Sequence, residues 1–462
     1  MLNARVLICL ASALTALAAL PGTAGAQAPR SAQVGAPCAP GEFGYGSGLL
    51  VCAEGGTFRY ALHDDVPPVP DGGYTSRPAW FPTLAQQFGR PATACPLTGR
   101  VTFTHPVMAV GDVTSTIPQG MMVREHVTPI DHGYFSPRTL AIPRALRTDT
   151  DWLPVYAPAD GTITEVSLLG SPTSIRVTIE HACETYSIYM VLNRVAGVLG
   201  SLHDELMVRQ YLNVSIPVLA GTLFGEQRDN PLDFSVHDGA AWLSGFVAPF
   251  SYTMLEAWKP FTVDPWRYVS PDLAEAYEAR MQRVAPPRWG VIDLDIAGTA
   301  SGNWFLAGTM GYSGRSVEDY ANASTTLGGG AVEGRNSYAW SHLSLVPHWV
   351  QPSRWIFSTG WWADPAGDAT QRLMVIPPGV PPPSALTPDS GTVAYRVTVW
   401  SVVGQEGEAA LPIGYELEPG QTPGVVAIRV NADQTLTVEV FPALSDPAQF
   451  TGFTPAMRTY RR

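Results

Sequence analysis

Histidine and aspartate gather in three short stretches of this chain. The first is Val123-Arg-Glu-His-Val-Thr-Pro-Ile-Asp-His-Gly-Tyr-Phe135, which carries His126, Asp131 and His132. The second is Ile175-Arg-Val-Thr-Ile-Glu-His181, ending on His181. The third is Pro231-Leu-Asp-Phe-Ser-Val-His-Asp238, with Asp233 and His237. Imidazole and carboxylate are the side chains that bind a metal ion and that hold or pass protons near neutral pH. Ligands this far apart in sequence need a rigid scaffold between them. Pro154-Val-Tyr-Ala-Pro-Ala-Asp-Gly-Thr-Ile-Thr-Glu-Val166 reads as strand, turn, strand, and supplies one. Within it Asp160 suits the tight Ala-Asp-Gly turn and is read as structural.

Other chemistries fit less well. No Gly-x-Ser-x-Gly elbow is present, so a serine nucleophile has no seat. Gly41 to Gly48 is glycine-rich but lacks the Gly-Lys-Ser/Thr ending of a phosphate loop. Asp293 and Asp295 alternate in Trp289-Gly-Val-Ile-Asp-Leu-Asp-Ile296 and read as the solvated face of a strand rather than a glycosidase pair. Trp304, Trp340, Trp355, Trp361 and Trp362 concentrate late in the chain. They read first as core packing and second as platforms for sugar rings.

The elements that must position these residues are mostly strands. Residues 1–26 look like a secretory signal, with Arg5, an apolar run from Val6 to Leu20, and Ala24-Gly25-Ala26 before cleavage. Residues 27–100 are rich in Pro, Gly and Ala and read as an irregular segment pinned by a disulfide. Alternation then marks a β domain over 101–250, with a short helix or loop insertion from Leu199 to Leu212. Ser270 to Val284 is the best helix, N-capped by Ser270, inside a helical linker over 251–287. Residues 288–462 return to short strands and turn signals, the pattern of a β-sandwich or barrel-like domain. Cys38, Cys52, Cys95 and Cys183 follow the signal; four cysteines allow three pairings, and Cys38 with Cys52, leaving Cys95 with Cys183, is favoured.

The formal net charge is −12, which argues against a nucleic-acid partner, since phosphate binding needs clustered cations. Lys259 is the only lysine among 28 lysines and arginines, a bias read as compositional. No segment beyond the signal is long and apolar enough to span a membrane.

The central stretch resembles the lysostaphin-type zinc endopeptidases. Val155-Tyr-Ala-Pro-Ala-Asp-Gly-Thr-Ile-Thr164 looks like that family's entry into its core sheet, Val177 to His181 with Tyr186-Ser-Ile-Tyr189 like its next hairpin, and Leu232-Asp-Phe-Ser-Val236 like its last ligand strand. The resemblance implies an antiparallel β domain, bound zinc, and hydrolysis of cell-wall peptide. Three departures stand beside it. The family's His-x-x-x-Asp has one extra residue here, between His126 and Asp131. Its closing His-x-His falls on Pro231 and Asp233. The histidine two residues beyond the hairpin tyrosine is replaced by Val191. The chain is thus similar to a divergent secreted branch with altered metal motifs.

Residues an even number apart on a strand share a face. His126, His132 and Asp233 then form a ligand triad with Asp131 orienting it; alternatively Asp131 is a ligand and His132 the base for water. His181 is either a proton shuttle over the site or a strand-end histidine; His237 shares the Asp233 face, and His181 and His237 are the catalytic candidates that, with His132, would partly replace the family's missing histidines. Two functions follow: a zinc-dependent hydrolase of peptide or peptidoglycan cross-links, or a non-catalytic peptidase-like domain that binds cell-envelope peptide or glycan. Either is expected to be exported, in the periplasm or outside the cell.

Overall fold

The computed structural model describes residues 29–89, 101–182, 184–325, 327, 337–362, 369–403, 414–416 and 424–462. The signal stretch, Cys95 and Cys183 lie outside the described residues.

Residues 29–89 are not irregular. They form a four-stranded sheet in the order β1 (Arg30–Ser31), β2 (Phe43–Tyr45), β3 (Leu49–Cys52), β4 (Phe58–Tyr60). Strands of two to four residues are too short for alternation to be read from sequence. What holds them is burial: Leu49, Leu50, Phe58 and Tyr60 pack with Trp80, Phe81, Phe250 and Phe261. The Cys38–Cys52 disulfide forms as expected.

The central domain is one large antiparallel sheet. Its strands are β5 (Val113–Ile117), β6 (Gly133–Pro137), β8 (Gly161–Ser171), β9 (Ser174–Ala182), β10 (Thr185–Leu192), β12 (Tyr211–Val218) and β14 (Leu232–Asp238), in the order β12-β8-β9-β10-β14-β6-β5. A small sheet of β7 (Leu153–Tyr156), β11 (Arg194–Val195) and β13 (Leu223–Gln227) lies beside it, and β15 (Thr262–Val263) adds to β14. The Leu199–Leu212 insertion holds a short helix, His203–Arg209.

β14 explains how the site is placed. Leu232, Phe234 and Val236 enter the main core with Val155, Ile163, Val177, Tyr189 and Trp289. Asp233, Ser235 and His237 alternate with them and therefore face the other side. All six are buried, because both faces of the sheet are covered. Tyr186, paired with His237 across β10, belongs to the core shared with the N-terminal sheet.

Two expectations are corrected here. The best helix covers only Pro271–Glu278, and Ser270 makes no side-chain cap. It stops early because Arg280 and Gln282 hydrogen-bond to Thr116 on edge strand β5, so sheet pairing overrides helical propensity. Trp289 to Ile296 is not a strand. Its carboxylates fasten loops: Asp293 accepts from the Gly245 N–H, and Asp295 from those of Val247 and Asn303. Asp295 is buried rather than solvated, and burial pushes it up to about 6.

The C-terminal domain is a closed eight-stranded barrel, which decides between the two forms expected. It runs β16 (Gly302–Leu306), β17 (His342–Pro347), β18 (Trp355–Thr359), β19 (Thr370–Val375), β20 (Val393–Thr398), then, past a separate pair β21 (Ser401–Val403) and β22 (Gly414–Glu416), β23 (Gly424–Val430), β24 (Leu436–Phe441) and β25 (Arg458–Arg461). β25 pairs with both β24 and β16 and so seals the cylinder. The barrel docks on the central sheet through Ile117, Met121, Ile130 and Tyr134 on one side and Val346, Trp349, Ile356 and Leu373 on the other.

Candidate functional site

Four of the six singled-out residues meet beneath this junction. Asp131 and His132 end the loop that enters β6; Asp233 and His237 project from β14. β6 and β14 are neighbours, with Tyr134 opposite Asp233 in register. Asp131, His132 and Asp233 are 5–6 % exposed and His237 is fully buried.

His132 is the hub. Its Nδ1 lies 3.0 Å from Asp131 Oδ1, and its Nε2 lies 3.0 Å from the Tyr134 hydroxyl and 3.4 Å from Asp233 Oδ2. The second oxygen of Asp131 accepts from the Trp258 indole N–H at 2.7 Å. His237 shares hydrogen bonds with Ser235 (3.0 Å, Nε2) and Thr262 (3.3 Å, Nδ1), and its Nε2 is 3.9 Å from Asp131 Oδ2. Asp233 Oδ1 is buried with no hydrogen-bond partner among the described residues.

The site also contains a cation that sequence patterns did not reveal. Lys259 is 1 % exposed. Its ammonium lies 3.0 Å from Glu256, donates to the Pro129 carbonyl at 3.4 Å, and sits 5.0 Å from the centre of the Tyr312 ring. The available signal was its singularity: one lysine in a chain that otherwise uses arginine. Lys259, Glu256 and Trp258 come from the segment expected as a helical linker, which instead contributes a wall of the site.

Charge decides the protonation states. Burial alone would raise Asp131, but the Lys259 charge and the His132 bond outweigh it and hold it well below the usual range. Burial works against the His132 cation too, yet Asp233 and Asp131 raise it. Asp233 is pushed up to about 7 by burial, with His132 pulling the other way. Burial drives His237 down to about 4, so it is neutral at pH 7. Lys259 stays charged: Glu256 and Asp131 overcome its burial.

His126 and His181 do not sit as expected. His126 lies in a turn rather than on a strand, so the parity argument linking it to His132 fails; its part-buried ring centres 6.0 Å from that of His132 at the edge of the cluster. His181 is on the opposite face of the sheet. It touches Phe103 in the main core, and its nitrogens meet the Asp160 carbonyl at 2.9 Å and the Ser187 hydroxyl at 2.7 Å. It is the strand-end histidine of the two readings, and no shuttle to Asp233 runs through the sheet. Asp160 holds its turn by accepting from the Ala220 N–H.

The donor set does not fit a zinc ion in this arrangement. Both nitrogens of His132 and His237 and both oxygens of Asp131 are spent on one another or on hydroxyl and indole groups. Among the described residues no group of three His, Cys, Asp or Glu side chains converges to hold a metal. What the arrangement does chemically is hold protons and charges in a buried hydrogen-bonded network. Neither of two cavities elsewhere in the molecule, one at Trp361, Trp362 and Arg458, the other at Asp71, Val247 and Arg462, is lined by these residues.

Burial of the only lysine gives a direct check. An amine-reactive ester applied to native protein is expected to leave Lys259 unlabelled, and to label it once the protein is unfolded. Rapid native labelling in the Lys259 peptide would show that the site opens to water.

Comparison with family models, with curated proteins and with solved structures finds no match for the chain.

Proposed function

We propose that this is an exported cell-envelope protein whose peptidase-like central domain is non-catalytic, and that it acts as a binding or scaffold module for wall peptide or glycan. The observation that carries this reading is that His132, His237 and Asp131 are each engaged in hydrogen bonds inside the protein. A hydrolytic metal needs ligands with free lone pairs and an open position for water. Here His132 and Asp131 bond to each other and to Tyr134 and Trp258, and His237 to Ser235 and Thr262, in the buried interior. Export is supported by the Cys38–Cys52 disulfide, a bond that persists in oxidising compartments. No helix among the described residues is long and apolar enough to cross a membrane.

The test has two arms. Purified protein, offered zinc and then dialysed, is expected to retain well under one equivalent, and to release no fragments from peptidoglycan or glycine-bridged peptides. It is also expected to co-sediment with isolated cell-wall sacculi. One tightly held equivalent of zinc with chelator-sensitive cleavage would establish the hydrolase instead. Failure to sediment would remove the proposed partner.

A further inference from the structure

We propose that the open end of the barrel binds an acidic sugar of a glycan, its ring against Trp361 and Trp362 and its carboxylate on Arg458 and Arg372. The proposal rests on the binding-module reading above and gives it a site and a ligand class.

An eight-stranded barrel is wide enough to be filled by its own side chains or to hold one small ligand. Here the filling is incomplete. A cavity of about 120 Å³ opens where β18 and β24 finish and β25 begins. Phe357 and Thr359 from β18, Val440 from β24, and Arg458 and Tyr460 from β25 line it, with Trp361 and Trp362 just past β18. Phe357 and Tyr460 belong to the barrel core, so alternation turns Thr359 and Arg458 inward as well.

Charge selects the ligand. On β19 Met374 faces the same core, so Arg372 also faces inward, 5.1 Å from the centre of the Trp362 ring. Its Nε is buried without a hydrogen-bond partner, and it forms no ion pair among the described residues. Arg458 lies on the face of the Trp361 ring. By the same alternation these two arginines are the charged residues of the inner wall among the described strand residues, and none there is acidic. Glu439, between Val438 and Val440, points outward and accepts from the Thr454 N–H. Two inward guanidiniums without an inward carboxylate suit an anion, and a carboxylate matches the guanidinium fork. The indoles add flat apolar faces, and Thr359 and Tyr460 add hydroxyls to meet those of a ring. A closed cavity of about 150 Å³ admits a benzene ring. This smaller, open one takes a single ring by its edge and leaves the rest of a chain outside.

The test is calorimetric titration of the full chain with tri-galacturonate, with its methyl ester, and with the dipeptide N-acetyl-D-alanyl-D-alanine. The acid should bind saturably. The ester keeps the rings and loses the charges, and should bind about tenfold more weakly. Arg458→Gln and Arg372→Gln should each weaken the acid by about tenfold, and Arg458→Lys by less. Absence of acid binding, or equal binding of acid and ester, overturns the proposal, and that comparison on wild type needs no variant to fold. A folded Arg458→Gln protein that binds the acid as wild type does overturns it too. Displacement of the acid by the dipeptide at equal or lower concentration would give the site to wall peptide and overturn the sugar assignment. Wild type that binds the acid but does not sediment with sacculi would defeat the wall-partner reading alone. Wild type that sediments but ignores the acid would defeat this proposal alone, so the two failures are distinct.

Discussion

Asp233→Asn is expected to stabilise the protein at pH 8 and to change little at pH 4. The carboxyl of Asp233 is pushed from 3.8 to about 7 by burial. Between those values the folded state binds a proton that the unfolded state has released. Stability contributed by this group therefore falls as pH rises from about 4 through 7, and the penalty stays constant above. At about 1.4 kcal/mol per unit the full penalty is on the order of 4 kcal/mol. Asparagine carries no charge to desolvate, and the rise to about 7 is already net of the His132 attraction, so a gain of about 4 kcal/mol at pH 8 is expected. Urea unfolding at the two pH values reads it directly. A variant less stable than wild type at pH 8 would mean that the carboxylate is required as an anion, as it would be on a bound cation.

Gly133→Ala should cost about 3 kcal/mol, near the upper end for an overpacked core position. Gly133 follows His132 and opens β6. A Cβ there would stand 2.6 Å from the Ile117 carbonyl oxygen and 2.7 Å from the Trp289 ring. Neither neighbour yields easily: the carbonyl belongs to the paired strand β5, and Trp289 is 1 % exposed in the main core. Space is the whole constraint, because Gly133 does not have the left-handed backbone that favours glycine. Trimming the indole with Trp289→Phe should therefore rescue part of the loss in a double-mutant cycle. An alanine variant within 0.5 kcal/mol of wild type, the range of a neutral surface change, would show that the two strands separate without cost.

Much of the β architecture could be read from alternation, and the reason is local. Strands such as Ser174–Ala182 and Leu436–Phe441 state their own two-residue period in the alternation of apolar and polar residues. The site was only half legible, because its geometry is set by register between distant strands. Asp233 and His237 share a face by parity within one strand, which sequence does encode. That His181 falls behind that face depends on how β9, β10 and β14 pair, and nothing in Ile175 to His181 alone records it. His126 misled for a different reason: strand parity was applied across Pro129, where the chain is a loop. Lys259 was visible as a count but silent as a pattern, since a single buried ammonium has no periodicity.

The sealing of the barrel by β25 also sets a timetable for making the protein. Arg461 and Tyr460 complete the cylinder by pairing with Phe305 and Leu306. Nearly the whole barrel sequence separates these partners, so the entropy of a long loop is spent before the last rung forms. Topologies built on such distant pairings fold slowly. Until residues 458–461 have been delivered, β16 and β24 each present an unpaired edge, a template for joining another chain. The vulnerable interval is therefore the time needed to deliver residues 307–457, however quickly each strand forms by itself.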